Sequence, residues 1–221
     1  MNCMGHSPVF RVILLYAFSG VLLSCHQQEK KVANTKPKKD LSKYSQATFA
    51  SGCFWCVEGV FESVKGVDEA VSGYAGGEAP NPTYEQVSAH TTEHAETVQV
   101  YYDSSVVSYR TLLKVYFASQ DPTQVNGQGP DEGASYRSII FYRTTEEKKE
   151  IDKYIFEIKN KYDKPIAAEV VPFKKFWEAE AYHQDYIEHN PDVPYVRGES
   201  IPRIRRFQKQ YPELVKPDHK I

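Results

Sequence analysis

The chain has 221 residues, 41% of them hydrophobic and 25% charged, which is enough apolar material for one buried domain with appendages. Its net charge of −2 is unevenly spread: residues 1–25 carry +1 and 26–43 carry +4, so the remainder holds −7. An acidic domain is a poor nucleic-acid binder, which excludes that class of partner.

Arg11 precedes an apolar run over 12–23, far short of the roughly 20 residues that span a bilayer. The segment predicts a signal peptide over 1–24. It closes with Leu22, Leu23, Ser24 and Cys25, similar to a bacterial lipoprotein processing box, so Cys25 is expected to carry lipid and the chain to be exported and anchored to a bacterial membrane. A plain signal peptide and an uncleaved anchor are the alternatives. Residues 25–43 are rich in Lys, Gln and Asn and predict a disordered tether. The domain then runs over 44–221.

Of four cysteines, Cys3 leaves with the leader and Cys25 is assigned to lipid, so Cys53 and Cys56 remain. One close pair in an exported chain points to chemistry more than to stapling. A strand over 46–51 delivers Cys53 to the start of a helix over 53–63, marked by Val57, Val60, Phe61 and Val64 and stopped at Gly66. A helix N-terminus stabilises a thiolate, so Cys53 is expected to be lowered in pKa. Residues three apart on a helix have Cβ atoms about 5–6 Å apart, against about 3.5–4.5 Å in a disulfide. Modest fraying would let Cys56 close onto Cys53.

Further on, the patterning predicts a strand over 67–74 ending at Gly76-Gly77, a short helix over 84–89, a strand over 95–102 and a helix over 108–119 with Leu112, Val115 and Tyr116 on one face. A Gly-, Pro- and Asp-rich loop over 121–134, a strand over 138–142 and a charged helix over 144–161 follow. The order predicts an α+β fold: a two-layer, ferredoxin-like split βαβ core with extra helices and long loops. Structureless segments as long as 121–134 are usually functional, and this one holds Asp131 and runs into Tyr136.

Six ordered motifs carry a family resemblance: GCFWC at 52–56, SGYAGG at 72–77, NPTYEQV at 81–87, HAETV at 94–98, DPTQVNGQGPDEGASYRS at 121–138 and FWEAEAYHQDYIEHNP at 176–191. Together they resemble the peptide methionine sulfoxide reductases of type A. The resemblance implies reduction of methionine S-sulfoxide, protein-bound or free, without a cofactor. It assigns Cys53 as nucleophile, Glu96 as proton donor to the sulfoxide oxygen, and Tyr84 and Tyr136 as phenols bonded to that oxygen. Asp131 would orient polar groups or the substrate amide, and Phe54 and Trp55 would hold the methyl group. A glycine commonly stands where Cys56 does, with resolving cysteines near the C-terminus; here none follows Cys56. The resemblance thus implies a Cys53–Cys56 disulfide, formed through a sulfenic acid and reduced by a thioredoxin-like donor. Glu93, Gly127 and Pro130 also depart from the usual pattern.

Residues 187–221 read as a tail packed over the domain near the site opening. His183 and His189, beside Asp185 and Glu188, read as a solvated helix face, so no metal is expected; nor is an oligomer. Two rival functions are a general thiol–disulfide oxidoreductase, weakened by the bulky Phe-Trp spacer, and a lipid-anchored binding protein without turnover, which would need no nucleophile. Val57 excludes haem attachment, and zinc would want a second ligand pair.

Overall fold

The computed structural model describes residues 39–219. The expected leader, Cys25 and the tether up to residue 38 lie outside the described residues. Residues 39–43, read as the end of that tether, lie against the domain: Lys39 pairs with Asp68, and the Tyr44 amide donates to the Leu41 carbonyl at 3.1 Å. Among the described residues no helix is long and apolar enough to cross a membrane.

In chain order the elements are β1 (Ser45–Ala50), α1 (Phe54–Glu62), β2 (Val67–Ala75), α2 (Tyr84–Ser88), β3 (Ala95–Tyr102), α3 (Tyr109–Ala118), β4 (Gly127–Gln128), β5 (Asp131–Glu132), β6 (Ile139–Tyr142), α4 (Thr145–Ile158), β7 (Glu169–Pro172), β8 (Phe176–Glu178), α5 (Tyr186–His189) and α6 (Ile201–Gln210). Six strands form one sheet in the order β7-β6-β1-β3-β2-β8, a mixed α/β architecture. Only the β6–β7 pair is parallel. Helix α1 joins β1 to β2, yet β3 lies between those strands, and α3 joins β3 to β6 around β1.

Strand alternation sends successive side chains to opposite faces. Phe49, Tyr74, Val98, Val100 and Ile140 enter the main core with α1 and α3, while Ala50, Ala75, Ala95, Ile139 and Phe141 form a smaller cluster with Val171 and Phe173. Phe49 is fully buried and stacks on Phe61 at 5.0 Å, a residue whose burial contributes about 1.5–3 kcal/mol. Helix starts are set by side chains that accept orphan amides: Thr83 from Gln86, Ser108 from Thr111 and Thr144 from Glu147. Each such cap stabilises by about 0.5–2 kcal/mol.

The differences from the sequence reading fall in short or distant elements. The loop over 121–134 is not structureless: β4 and β5 pair within it. The charged helix ends at Ile158, with a 3-10 turn over Lys159–Lys161. The edge strands β7 and β8 have four and three residues, too few for periodicity to register. The stretch read as a tail holds a π turn, Val196–Ser200, that runs into α6 and sends Ile204 and Phe207 into the main core.

Candidate active site

The turn from β1 into α1 sets the site. Gly52 takes φ +67, and a Cβ there would meet the Gln128 Cβ at 2.5 Å, so glycine is required for the chain to turn beneath the 121–134 loop. The Gly52 amide donates to the Tyr136 carbonyl at 3.0 Å. Cys53 stands at the N-cap of α1, its carbonyl accepting from the Cys56 and Val57 amides. The Phe54 amide, one of the orphan donors of that helix end, donates to Glu96 Oε2 at 3.0 Å. Glu96 leaves β3 on the same face as Val98 and Val100, so alternation brings it to the first turn of α1.

Glu96 is 2% exposed. Burial drives its carboxyl up to about 8, against the pull of the Phe54 amide, so it is protonated at neutral pH. Cys53 and Cys56 are both buried and free. The expected lowering of Cys53 is not met: burial outweighs the helix end and pushes its thiol well above the usual range, helped by its hydrogen bond to Cys56 and by Glu96. Cys56 is drawn down to about 6, chiefly by accepting that bond, with Arg203 and Ser200 adding to it. Its sulfur lies 3.2 Å from Ser200 Oγ and 3.9 Å from the Tyr195 hydroxyl. Burial thus disfavours charge on Cys53, while the bond between the two sulfurs and the Arg203 guanidinium favour charge on Cys56.

These neighbours come from the segment read as a tail. Arg203 is 6% exposed and donates to the Ser119 and Ser51 carbonyls at 2.7 and 3.0 Å and to Ser51 Oγ at 2.9 Å. The Tyr195 hydroxyl donates to Asp131 Oδ2 at 2.6 Å, and the Cys53 amide faces the same carboxyl, so Asp131 braces the N-cap from the loop side. Sequence reasoning missed Tyr195, Ser200 and Arg203. The signal was the helical spacing of Val196, Ser200, Ile204 and Phe207.

Aromatic rings wall the other side. Phe54 is 1% exposed and lies 6.5 Å from Tyr84, 5.9 Å from Tyr74 and 4.9 Å from His183. Trp55 stacks on Tyr186 at 3.7 Å, and its indole N–H donates to His183 Nδ1 at 3.1 Å. His183 corrects the sequence reading: a 3-10 turn, Ala181–His183, buries it to 1% exposure, whereas His189 is exposed. Burial lowers the His183 imidazole to about 4, so it is neutral, and with Nδ1 accepting from Trp55 its proton is on Nε2. Glu180, also missed, fixes two of these tyrosines, accepting from the Tyr84 amide at 3.0 Å and the Tyr74 hydroxyl at 2.8 Å.

Tyr84 and Tyr136 are half-buried phenols that both feel Glu96 and Cys53. Burial pushes Tyr84 up to about 12 and raises Tyr136 as well, so both remain donors. The structure thus brings Cys53, Cys56, Glu96, Tyr84, Tyr136, Asp131, Phe54 and Trp55 together around the N-terminus of α1. A cavity of about 350 Å³ opens on the Cys56 side, lined by Cys56, Gln120, Gln128, Asp131, Tyr195 and Arg203 among others.

The peptide methionine sulfoxide reductase family matches residues 45–214, which takes in every residue of this constellation. The chain belongs to that family. Among relatives named peptide methionine sulfoxide reductase MsrA, that of Haloquadratum walsbyi is 46% identical over 167 residues, covering 76% of this chain and 96% of the relative. That of Thermus thermophilus is 45% identical over 171 residues, covering 77% and 97%. Two solved structures are similar: Mxr1 from Saccharomyces cerevisiae in reduced form (36% identity, TM-score 0.66, 70% of this chain and 90% of that one) and methionine sulfoxide reductase A of Corynebacterium diphtheriae (29%, 0.63, 72% and 83%). In this peptide methionine sulfoxide reductase Glu93, which departs from a glycine common at its position, has φ +58, a conformation that favours glycine.

Proposed function

We propose that this peptide methionine sulfoxide reductase reduces the S-epimer of methionine sulfoxide, in proteins and as the free amino acid, at Cys53. The observation that carries the reading is the pairing of Cys53 with a buried, protonated Glu96 on the adjacent helix amide. The Cys53 sulfur attacks the sulfoxide sulfur, its own proton passing to Cys56, while Glu96 protonates the oxygen. Tyr84 and Tyr136 donate to that oxygen, and Phe54 and Trp55 hold the methyl group. Methionine leaves, and the oxygen stays on Cys53 as a sulfenic acid. Cys56 then attacks the Cys53 sulfur, water departs and a Cys53–Cys56 disulfide forms. A thioredoxin-like dithiol reduces it through a mixed disulfide, returning one proton to Cys53 and one to Glu96.

The inner strand order β6-β1-β3-β2, with α1 and α3 as crossovers, supports the ferredoxin-like split βαβ reading of the core. The leader pattern supports export, removal of 1–24 and attachment to a bacterial membrane through lipid on Cys25.

With the purified full chain, dithiothreitol and each epimer of an amine-blocked methionine sulfoxide, only the S-epimer is expected to turn over. Turnover of neither epimer, with disulfide exchange intact, would move the assignment to a general thiol–disulfide oxidoreductase. His183→Ala deprives the Trp55 indole of its acceptor, a bond contributing about 1 kcal/mol, and opens the wall beside Phe54. It is expected to raise KM about fivefold to twentyfold while kcat stays within about threefold, matching about 1–2 kcal/mol of lost ground-state binding. An unchanged KM would remove His183 from the pocket wall.

A further inference from the structure

The aromatic wall of the site continues outward past the pocket. From Phe54 the rings run to His183 at 4.9 Å, and from His183 to Tyr182 at 4.2 Å. Tyr182 is 54% exposed, a large ring left in solvent at the edge of a buried cluster. Two carboxylates stand with it. Glu180 accepts from the Tyr84 amide at 3.0 Å and lies 3.9 Å from His183 Nε2, so it ties the start of α2 to the turn that carries Tyr182. Glu85, exposed, is the next residue of α2. We propose that Tyr182, Glu180 and Glu85 form a shelf for a lysine or arginine one or two residues from the oxidised methionine, so that the enzyme favours sulfoxides in basic stretches of its protein substrates. The shelf rests on the reading that methionine sulfoxide binds against Phe54 and Trp55.

The reach fits. An extended chain advances about 3.3–3.6 Å per residue, so the neighbours of a methionine held against Phe54 pass over His183 and Tyr182. The charge fits as well. Among the described residues neither Glu85 nor Glu180 is paired with a lysine or arginine, and the imidazole near Glu180, that of His183, is neutral. The charges that act on Tyr182 and on His183 are those of Glu180 and Glu85, all negative. The whole domain over 44–221 adds to this with its −7.

A phenol ring attracts a cation to its face when the charge lies within about 6 Å of the ring centre. A lysine or arginine can lay its methylenes along the ring while its charged head reaches the carboxylates. An acidic residue at the same place meets two like charges instead, and alanine leaves the shelf empty. Neither alters the groups around Cys53, so the discrimination belongs to binding and not to the chemical step.

The test uses the full-length protein, dithiothreitol and end-blocked peptides of methionine S-sulfoxide among alanines, with Lys, Ala or Glu placed one or two residues to either side. At one or more of these positions Lys is expected to raise kcat/KM about fivefold to thirtyfold over Ala, and Glu to lower it, with the difference in KM. At about 1 M salt, where charges are screened beyond about 3 Å, the Lys advantage should shrink at least about threefold. Tyr182→Ala and Glu85→Gln should each cut the Lys-to-Ala ratio at least about threefold, whereas Tyr182→Phe, which keeps the ring face, should preserve it. The ratio is read within each variant, so a general loss of activity cancels. Equal kcat/KM for Lys and Glu peptides at every position, or a ratio unchanged in both Tyr182→Ala and Glu85→Gln, would overturn the shelf. Turnover of no sulfoxide at all, alanine peptides included, would overturn the reductase reading and the shelf with it.

Discussion

Glu96→Gln is expected to slow sulfoxide turnover by about 10²–10⁴-fold, the usual contribution of a positioned acid, and to make the protein more stable at pH 7. The second effect follows from the direction of the shift. In the fold Glu96 titrates at about 8, against about 4.3 in an unfolded chain. Below about pH 4.3 both states hold the proton and the native state keeps its full stability. As pH rises towards 8 the unfolded chain releases its proton while the folded one does not, so stability falls across that window. At pH 7 the loss is on the order of 3 kcal/mol. Glutamine keeps the shape and the acceptor for the Phe54 amide and does not titrate. Urea melts of both proteins at pH 7 and pH 4.5 check this, because any fixed cost of the buried amide cancels between the two pH values. The variant's relative stability should be higher at pH 7 than at pH 4.5, and kcat/KM of the wild type should decline as pH rises through about 8. Near-normal turnover in the variant would remove Glu96 as the acid, and a relative stability independent of pH would mean that the native carboxyl is ionised.

The cysteine pair separates chemistry from recycling. Cys53→Ser should leave no detectable turnover with any reductant. Cys56→Ser keeps the nucleophile and loses the thiol that captures the sulfenic acid, so it should release one equivalent of methionine per chain and then stall with a thioredoxin-like donor. Rapid-quench counting of methionine, with mass spectrometry of Cys53, distinguishes a single burst from continued turnover. Sustained turnover by Cys56→Ser at the wild-type rate would rule out Cys56 as the resolving residue. In the proposed step Cys56 takes the Cys53 proton, so the single burst of Cys56→Ser should also be slower than the first turnover of the wild type.

The legible parts of the fold were those with local periodicity. The strands β1, β2, β3 and β6 and the helices α1 and α3 all show period-two or helical spacing over several residues, and their order alone suggested the sheet. Cys53, Glu96, Tyr84 and Tyr136 were legible because each sits within a short motif whose neighbours repeat the family pattern. What escaped were partners joined over long distances in the chain. Trp55 and His183 are 128 residues apart, Cys56 and Ser200 are 144, and Ser51 and Arg203 are 152. No local pattern encodes such pairs. His183 was misread because the acidic residues around it resemble a wet surface, whereas a single 3-10 turn directs its ring inward. The ionisation of Cys53 was misread for a related reason: the helix end is visible in sequence, but the burial that outweighs it depends on what the rest of the chain lays on top.

The turn over Val196–Ser200 closes with the wider i→i+5 spacing and so accommodates one residue more than an α-helix would. One residue turns everything downstream by about 100°. That surplus lets Tyr195 and Ser200 face Cys56 while Ile204 and Phe207, further along, still reach the core. The surroundings of Cys56 are thus more vulnerable to a lost codon in this stretch than to most single replacements within it.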